Sequence, residues 1–351
     1  MTVPPTAAVA PRTGRPLPGW AKLAPGLALC AAIAGVALLE GKAVPLVGAP
    51  LFAIAIGVVI ANTLRDTIRL GTLKIGDIGK LCLKTGIVIL GASLDLRDIA
   101  HTGGNSLGFL LVTIASGLVT ALVLGRALGI DWRLRCLIGM GTTICGASAI
   151  AALAPVIRAR SEEIAYAVTV VFFFNMIAVF VFPSLGHLMG LTDNGFGIWT
   201  GTAVNDTSAV VAAGFAFSDE AGAIATIVKL VRTTMIIPLV IGFGLALPWL
   251  DPSAVKQDVS LARRVYNAFP VFILLFLAAS LVRTLGLTGG LTPDIQTLGR
   301  WVLVVALAAV GLQGHWRAFA GAGARPLLLG AITWAAVACV SLAMQAATRN
   351  L

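Results

Sequence analysis

Two stretches of this sequence decide its fold: "GTTICGASAIAALAPVI" (141–157), the first motif, and "GTAVNDTSAVVAAG" (201–214), the second motif. Both are rich in glycine, alanine and hydroxyl side chains, although long apolar runs surround them. The motifs share residues at a common spacing, in the pairs Gly141 with Gly201, Thr142 with Thr202, and Ser148 with Ser208. Such a segment is poorly suited to lipid. Its occurrence twice therefore indicates a repeated functional element.

The composition around the motifs is typical of an integral membrane protein. Of the 351 residues, 58% are hydrophobic and 11% are charged, and the mean hydropathy is +0.97, values unlike those of a soluble domain. A membrane-spanning helix needs about 20 apolar residues to cross roughly 30 Å of hydrocarbon. Such runs predict nine full spans, near 20–39, 44–64, 78–94, 105–125, 164–189, 221–249, 266–285, 298–313 and 326–346.

The apolar runs are continuous, whereas the strands of a membrane barrel would alternate and carry aromatic girdles. We therefore expect an all-α, polytopic membrane helix bundle with about nine full spans, in which the two motifs are broken or re-entrant segments. Residues 1–19 contain five prolines and are predicted to be a disordered cytoplasmic tail. Residues 20–351 are predicted to form the transmembrane transporter domain.

The formal charge of +10 is explained by Lys and Arg retained in cytoplasmic loops, so nucleic acid is not an expected partner. The five cysteines are scattered singly, and the sequence has no CxxC pair or histidine cluster at metal spacing. We therefore expect no disulfide framework, no metal site and no cofactor.

Loop charges set the expected orientation, because Lys and Arg stay on the cytoplasmic side. They place the N-terminus in the cytoplasm, on the side of Arg12, Arg15, Arg65, Arg69, Lys74, Lys80, Arg126, Arg133 and Arg135. If 135–157 crossed as an ordinary helix, Arg158 and Arg160 would lie outside. If the segment dips in and returns, both arginines stay inside and Asp193 lies outside. The charges therefore favour a re-entrant first motif.

The same reasoning applies to the second motif from the opposite face. If 195–218 also dips and returns, Asp219 and Glu220 remain outside. A unit of dipping segment plus helix then occurs twice with opposite orientation, which is an inverted repeat. Two alternatives stay open: small residues recur by chance in any membrane bundle, and either motif could cross fully with an interruption.

The first motif predicts part of an anion site. Irregular backbone is tolerated at membrane depth only where protein buries it or where it lines a watery cavity. The N-terminus of a half-helix also attracts anions through its unpaired N–H groups. In "CGAS" we expect Cys145 and Ser148 at such a site, with Gly146 allowing close approach of the backbone and Pro155 ending the helix.

The second motif adds Asn205, Thr207 and Ser208 to the predicted substrate site. An acid at membrane depth is costly unless it has a partner or a proton. We therefore expect Asp206 to couple substrate movement to a proton or a cation. The structural alternative for Asp206 is an N-cap of the helix 207–214, a role that Asp fills well.

Two cations follow the second motif in "GAIATIVKLVRTTMIIPLVIG" (222–242). Lys229 and Arg232 are three residues apart, so they share one helix face, and we predict that both bind the anionic substrate. Snorkelling of the long side chains to the membrane surface is the alternative. Lys84 and Asn175 are further candidates; Lys84 could also snorkel, and Asn175 could serve only as an interhelical hydrogen bond.

The two motifs, together with "LGASLDLRDI" (90–99) and "VKLVRTTMIIP" (228–238), resemble the bacterial membrane family usually labelled sulfate exporters. The likeness covers nearly everything after the tail. That family is related to the broad group of cation/proton antiporters and anion transporters, and the resemblance implies inverted repeats and broken helices that cross at the midplane. In that family a His commonly precedes the acid of the second motif. This chain has Asn205 there, which puts a histidine-based proton switch in doubt.

We therefore expect a secondary active transporter of a small anion, of the sulfate, sulfite or organosulfonate class, working by alternating access in the bacterial inner membrane. The sequence has no Walker motif for ATP and no catalytic constellation, so an enzyme is not expected. A cation/proton antiporter is one alternative; a membrane sensor or intramembrane enzyme is another. The expected partners are the bilayer, the anion, a coupling proton or cation, and a second copy in a homodimer.

Overall fold

The computed structural model describes residues 23–44, 48–64, 70–250, 270–314 and 323–348. All regular structure in these ranges is helical, so the predicted all-α bundle is confirmed for this part of the chain. The predicted tail 1–19 lies outside the described residues, as do the first residues of the predicted spans 20–39 and 266–285. The loop cations Arg12, Arg15, Arg65 and Arg69 also lie outside them.

The described ranges contain fourteen α-helices, with short 3-10 turns at Leu70–Thr72 and Gly289–Leu291. The first seven are α1 Ala24–Ala43, α2 Gly48–Thr63, α3 Ile75–Gly91, α4 Leu96–Ala127, α5 Trp132–Thr143, α6 Ala147–Leu153 and α7 Ser161–Leu188. The second seven are α8 Asp193–Ala203, α9 Thr207–Phe217, α10 Asp219–Thr234, α11 Ile236–Leu250, α12 Val271–Thr284, α13 Thr292–Gly311 and α14 Ala324–Thr348.

Six helical stretches in the described ranges are long and apolar enough to cross a bilayer. They are Ala24–Ala43, Leu96–Ala127, Ser161–Leu188, Asp219–Leu247, Gly289–Gly311 and Ala324–Thr348. Shorter apolar helices occur at Gly48–Thr63, Thr207–Phe217 and Val271–Thr284. The chain is therefore a multi-span helix bundle, and the number of nine full spans stays a prediction.

The segment around the first motif folds back on itself. Its two helices, α5 and α6, are separated by a break at 144–146. Arg133, near the start of α5, donates from Nε to the carbonyl oxygen of Ile157 over 3.2 Å. A straight helix would put these residues about 36 Å apart, at 1.5 Å per residue. Residues 132–157, which we call hairpin 1, therefore return to the level at which they began.

The segment around the second motif has the same shape. Its helices α8 and α9 are separated by a break at 204–206. The hydroxyl of Ser218, after α9, donates to the carboxylate of Asp193, the first residue of α8. Residues 193–218, which we call hairpin 2, thus also begin and end at one level. The sequence left open whether each segment crosses fully or returns, and in the structure both return.

The two hairpins start from opposite ends of α7. This helix has 28 residues and is therefore about 42 Å long, at 1.5 Å per residue. It begins just after hairpin 1 ends and itself ends just before hairpin 2 begins. We call the two ends of the molecule the hairpin-1 face and the hairpin-2 face. Each hairpin extends from its own face towards the middle, where the two breaks lie close together.

Separate apolar clusters hold the two hairpins in place. Buried residues of hairpin 1, such as Ile150, pack with Val171 of α7 and with Val240 of α11. Buried residues of hairpin 2, such as Val210, belong to a larger cluster that includes Leu307 of α13 and residues of α1 and α2. Helix α7 contributes to both clusters, whereas α1, α2 and α13 contribute to the hairpin-2 cluster and α11 to the hairpin-1 cluster.

Glycines allow the helices to approach closely around the breaks. A Cβ at Gly201 of α8 would lie 2.7 Å from the Cβ of Val228 in α10. A Cβ at Gly117 of α4 would collide with Cγ2 of Thr143, at the end of α5. Real Cβ atoms do not approach this closely, so a larger residue at either position would displace its neighbour. The close approach at Gly201 brings Lys229, the residue after Val228, to the breaks.

Candidate functional site

The breaks of the two hairpins meet in the interior. In hairpin 1 the chain reverses at Gly146, whose φ of 66° and ψ of −130° disfavour any residue with a side chain. A Cβ at Gly146 would lie 3.6 Å from the Cβ of Asp206, in the break of hairpin 2. We call the two breaks together, residues 144–146 and 204–206, the crossing.

Asp206 caps the helix that follows it. Its Oδ2 accepts a hydrogen bond from the backbone N–H of Ser208 at 2.9 Å and another from the Ser208 hydroxyl. The N-cap role that the sequence offered as an alternative is therefore present in the structure. Among the described residues Asp206 has no ion pair within 4 Å, so hydrogen-bond donors, the positive end of α9 and the nearby cation Lys229 together balance its charge. Capping leaves a coupling role possible, and that role stays a prediction.

Asn175, in the middle of α7, connects hairpin 2 to this helix. Its Oδ1 accepts from the backbone N–H of Asn205 at 3.1 Å and of Asp206 at 3.0 Å. The side chain is buried, and these two N–H groups lie at a break where no helix satisfies them. Asn175 therefore fixes the backbone of the crossing, which places it at the predicted site.

Lys229 of α10 supplies a buried cation to the crossing. Its ammonium group donates to the carbonyl oxygens of Ile144 at 2.5 Å, Val204 at 2.9 Å and Asn205. These acceptors come from both hairpins, so one side chain ties the two breaks together. The residue is 0% exposed, which excludes the snorkelling alternative. All three N–H donors of the ammonium are used in this way.

Arg232, one turn later in α10, makes a parallel set of contacts and is also 0% exposed. Its guanidinium donates to four carbonyl oxygens, those of Thr143 at 2.5 Å, Thr142 at 3.0 Å, Val204 at 3.1 Å and Gly201 at 3.3 Å. Two acceptors belong to hairpin 1 and two to hairpin 2. The planar fork of an arginine suits such divided contacts better than a lysine would.

The two cations thus satisfy the carboxyl-terminal ends of α5 and α8. The last carbonyl groups of a helix have no partner within it and carry a partial negative charge, and at membrane depth water is not there to satisfy them. The sequence predicts that Lys229 and Arg232 bind the anion directly. In the structure they make seven hydrogen bonds to backbone carbonyls, so their main observed contact is with the protein itself.

A cavity of about 910 Å³ lies beside the crossing. Four of the predicted site residues line it: Lys84, Cys145, Ser148 and Thr207. It extends along α6 to Pro155, close to where hairpin 1 returns to its own face. The cavity therefore runs from the crossing towards the hairpin-1 face. Lys229 and Arg232 are not among the described residues that line it.

Lys84 lies in the middle of α3. Among the described residues that line the cavity, it is the one with a charged side chain. Its ammonium group is 6.0 Å from the ring centroid of Phe272, in the first turn of α12. This is the outer limit of a favourable cation–π contact. Lys84 is exposed in the structure, so its N–H donors face the cavity or its mouth.

The spaces on the hairpin-2 side of the crossing are smaller. A void of about 20 Å³ borders Asn175, Asp206 and Ser208, which leaves room for about one water molecule, and a separate cavity of about 240 Å³ at the hairpin-2 face is lined by no residue of the crossing. At the hairpin-2 face, Nη2 of Arg300 lies 2.6 Å from Oδ2 of Asp219 and joins α13 to α10. In the described part of the chain the large cavity therefore approaches one face only.

Sequence reasoning missed the far wall of this cavity. This wall is formed by Thr85 of α3, Thr233 of α10, and Phe272 and Leu275 in the first turns of α12. Thr233 was detectable in principle, because it follows Arg232 directly. The α12 residues carry no motif, and only the fold brings them beside a helix that lies almost 200 residues earlier in the chain.

Asn205 is a predicted site residue whose side chain is buried at the crossing. It is 1% exposed, and neither Nδ2 nor Oδ1 has a hydrogen-bond partner within the described residues. Its backbone serves the crossing through Lys229 and Asn175. No group of three or more His, Cys, Asp or Glu side chains that could hold a metal is found among the residues that the structure describes.

Comparisons with known proteins agree with a membrane protein and name no substrate. The family model for conserved hypothetical protein 698 matches residues 25–330. The chain is 41% identical over 331 residues to a UPF0324 membrane protein of Streptococcus pyogenes, which covers 92% of this chain and 96% of the relative. It is 40% identical to one of Streptococcus agalactiae, with the same coverage, and 36% identical to one of Fusobacterium nucleatum, over 91% of this chain and 96% of the relative. No solved structure matches the chain.

Proposed function

The chain belongs to the conserved hypothetical protein 698 family, the UPF0324 membrane proteins, and from that premise we propose that it is a secondary active transporter of a small anion. The names of the relatives describe them only as membrane proteins. The transport activity, the sign of the cargo and the likeness to sulfate exporters therefore all belong to the proposal. What supports them is the geometry of the crossing and of the cavity beside it.

The observation that carries the proposal is the meeting of two broken hairpins from opposite faces. Irregular backbone at membrane depth has to be buried or line a cavity, and this chain places two such breaks side by side next to about 910 Å³ of space. Transporters with inverted repeats bind their substrates at such broken helices near the midplane. Movement of one hairpin with its anchoring helices against the other would transfer access from the hairpin-1 face to the hairpin-2 face.

The charges favour an anion as the cargo. Lys229 and Arg232 outnumber Asp206 by one charge at the crossing, and the cavity itself carries Lys84. Hydroxyl groups of Ser148 and Thr207 line the same space and can donate to an oxyanion. We therefore assign contact with the anion to Lys84, Ser148 and Thr207. Lys229 and Arg232 do not contact the anion. They hold the crossing together and add positive electrostatic potential to the site.

We keep Asp206 as the coupling residue, because it lies at the crossing and caps α9 without an ion pair among the described residues. We also propose that the hairpin-1 face is cytoplasmic. Arg158 and Arg160 follow hairpin 1, whereas Asp193 and Asp219 lie at the hairpin-2 face, so cytoplasmic retention of arginine gives this orientation. The N-terminus is then also in the cytoplasm, in a bacterial inner membrane.

Uptake of radiolabelled sulfate and methanesulfonate into proteoliposomes tests the proposal. We expect uptake by the wild-type protein to respond to a pH gradient, and Asp206→Asn to lose this response, because an amide cannot carry the proton. Asn is as good an N-cap as Asp, so the variant should unfold at nearly the wild-type temperature.

Two results would contradict this reading in different ways. An unchanged pH response in Asp206→Asn would reduce Asp206 to a cap. Uptake of Na⁺ or K⁺ that is independent of any anion would replace the anion transporter by the cation/proton antiporter.

A further inference from the structure

The cavity beside the crossing has polar groups at its inner end and mostly apolar residues along its walls. Cys145, Ser148 and Thr207 lie at the inner end, in or directly after the breaks. The walls are formed by α3, α6 and the start of α12, whose apolar lining residues include Leu81, Val88, Ala151, Val271, Phe272 and Leu275. A ligand in this cavity therefore meets polar groups at the inner end and at Lys84, Thr85 and Thr233, and apolar side chains along most of the walls.

The size of the cavity does not suit a bare inorganic oxyanion. About 910 Å³ is at the upper end of the range in which proteins bind drug-sized molecules. An ion such as sulfate occupies the space of a few water molecules of about 30 Å³ each. Sulfate would make no contact with most of the apolar wall, so the wall would contribute nothing to its binding.

The position of the cation sets how a ligand would lie. Lys84 is the charged side chain among the described lining residues, and Phe272 and Leu275 of α12 lie on the wall beside it. A negative headgroup held by Lys84 and by the hydroxyls of Ser148 and Thr207 would place any attached carbon chain along α6 and α12. Burial of that chain removes apolar surface from water on both the ligand and the wall.

We propose that the cargo is an anion with an apolar body: one sulfonate, sulfate ester or carboxylate headgroup attached to a hydrocarbon or aromatic group of roughly three to eight carbons. This inference rests on the proposed function, because it takes the cavity to be the substrate site. It narrows the expected class from any small oxyanion to organic anions. The apolar walls then select the cargo, and the polar inner end positions its headgroup.

A chain-length series tests this inference. Affinities of sulfate, methanesulfonate, propanesulfonate and butanesulfonate would be measured by calorimetry on the full-length protein in nanodiscs of zwitterionic lipid, which supply no anionic headgroup. Each buried methylene should tighten binding about three- to fourfold. Butanesulfonate should therefore bind about 30- to 60-fold more tightly than methanesulfonate, and butanol, which lacks the charge, should bind far more weakly.

A cavity-filling variant provides the control for location. Ala151→Trp fills the apolar wall and should reduce butanesulfonate affinity to the methanesulfonate level while sulfate affinity stays unchanged. Ala115→Trp places the same bulk on an exposed position of α4 outside the lining residues and should leave the whole series unchanged. If Ala115→Trp had the same effect as Ala151→Trp, the chain would not lie in this cavity.

The outcomes separate this inference from the proposed function. Equal affinities along the series, with sulfate binding that depends on Lys84, would overturn the apolar-body class and leave the anion transporter standing. Competition by phosphatidylglycerol that abolishes butanesulfonate binding would make the cavity a lipid site and overturn the cargo assignment. Binding of no anion, with Na⁺ binding instead, would remove the proposed function as well.

Discussion

Replacing Lys229 by methionine is expected to lower the free energy of unfolding by roughly 2 to 6 kcal/mol. The substitution keeps most of the side-chain volume but leaves the carbonyl oxygens of Ile144 and Asn205 without a side-chain donor, whereas that of Val204 keeps its bond from Arg232. A buried polar group that loses its partner costs about 1 to 3 kcal/mol. Water cannot replace the ammonium, because the residue is fully buried at membrane depth.

Denaturant titration in mixed micelles measures this effect, and Lys80→Met is the matched control. Lys80 belongs to α3, is exposed, and makes none of the contacts at the crossing, so the same chemical change there should alter stability by less than about 0.5 kcal/mol. Stability of Lys229→Met within about 1 kcal/mol of wild type would show that the ammonium does not hold the two hairpins together. Arg232→Met should resemble Lys229→Met, since three further carbonyls, those of Thr142, Thr143 and Gly201, accept from it.

Replacing Lys84 by glutamine should weaken binding of sulfate and butanesulfonate about ten- to a hundredfold. A hydrogen bond to a charged group contributes about 1.5 to 3 kcal/mol, and each 1.4 kcal/mol is a factor of ten in affinity. Stability should hardly change, because Lys84 is exposed in the cavity and its contact with Phe272 is a loose one. Substitution of Lys84 should therefore reduce anion affinity, whereas substitution of Lys229 should reduce stability, although both residues are lysines within a helix.

Calorimetry on Lys84→Gln, Lys84→Arg and Lys80→Gln checks this assignment. Lys84→Arg keeps the charge and should retain affinity within about threefold, whereas Lys80→Gln removes an exposed lysine of the same helix outside the cavity and should have no effect. Wild-type affinity in Lys84→Gln would return the role of anion ligand to Lys229 and Arg232, as the sequence alone suggests.

Charges that are visible in the sequence favoured the return of both hairpins, although a full crossing with an interruption stayed open. If each segment comes back, Arg158 and Arg160 after the first motif stay in the cytoplasm and Asp193 before the second lies outside. The breaks themselves were marked by glycine and by an acid in N-cap position. These are local signals, and local signals are what a single sequence carries.

The partners of Lys229 and Arg232 could not be predicted in the same way. Two cations on one helix face indicate a shared negative partner, but the sequence cannot tell a bound anion from the carbonyl ends of two half-helices. The answer depends on how closely α8 lies against α10, which Gly201 permits. The cavity wall formed by α12 could not be predicted for a related reason. Residues such as Leu275 resemble those of any membrane helix.

The proposed transport requires that the cavity at the hairpin breaks opens alternately to the two faces. We would measure the accessibility of single cysteines to a membrane-impermeant maleimide. The five native cysteines are replaced by alanine, and Ser148→Cys reports on the cavity. Glu162→Cys, at the start of α7, and Asn194→Cys, at the start of hairpin 2, report on the two faces.

With a butanesulfonate gradient across the membrane, Glu162→Cys should react only in inside-out vesicles and Asn194→Cys only in intact cells, whereas Ser148→Cys should react in both. The reaction of Ser148→Cys should be faster from inside, because the cavity approaches the hairpin-1 face in this structure. Reaction of Ser148→Cys from one side alone, whatever the direction of the gradient, would contradict alternating access at the crossing.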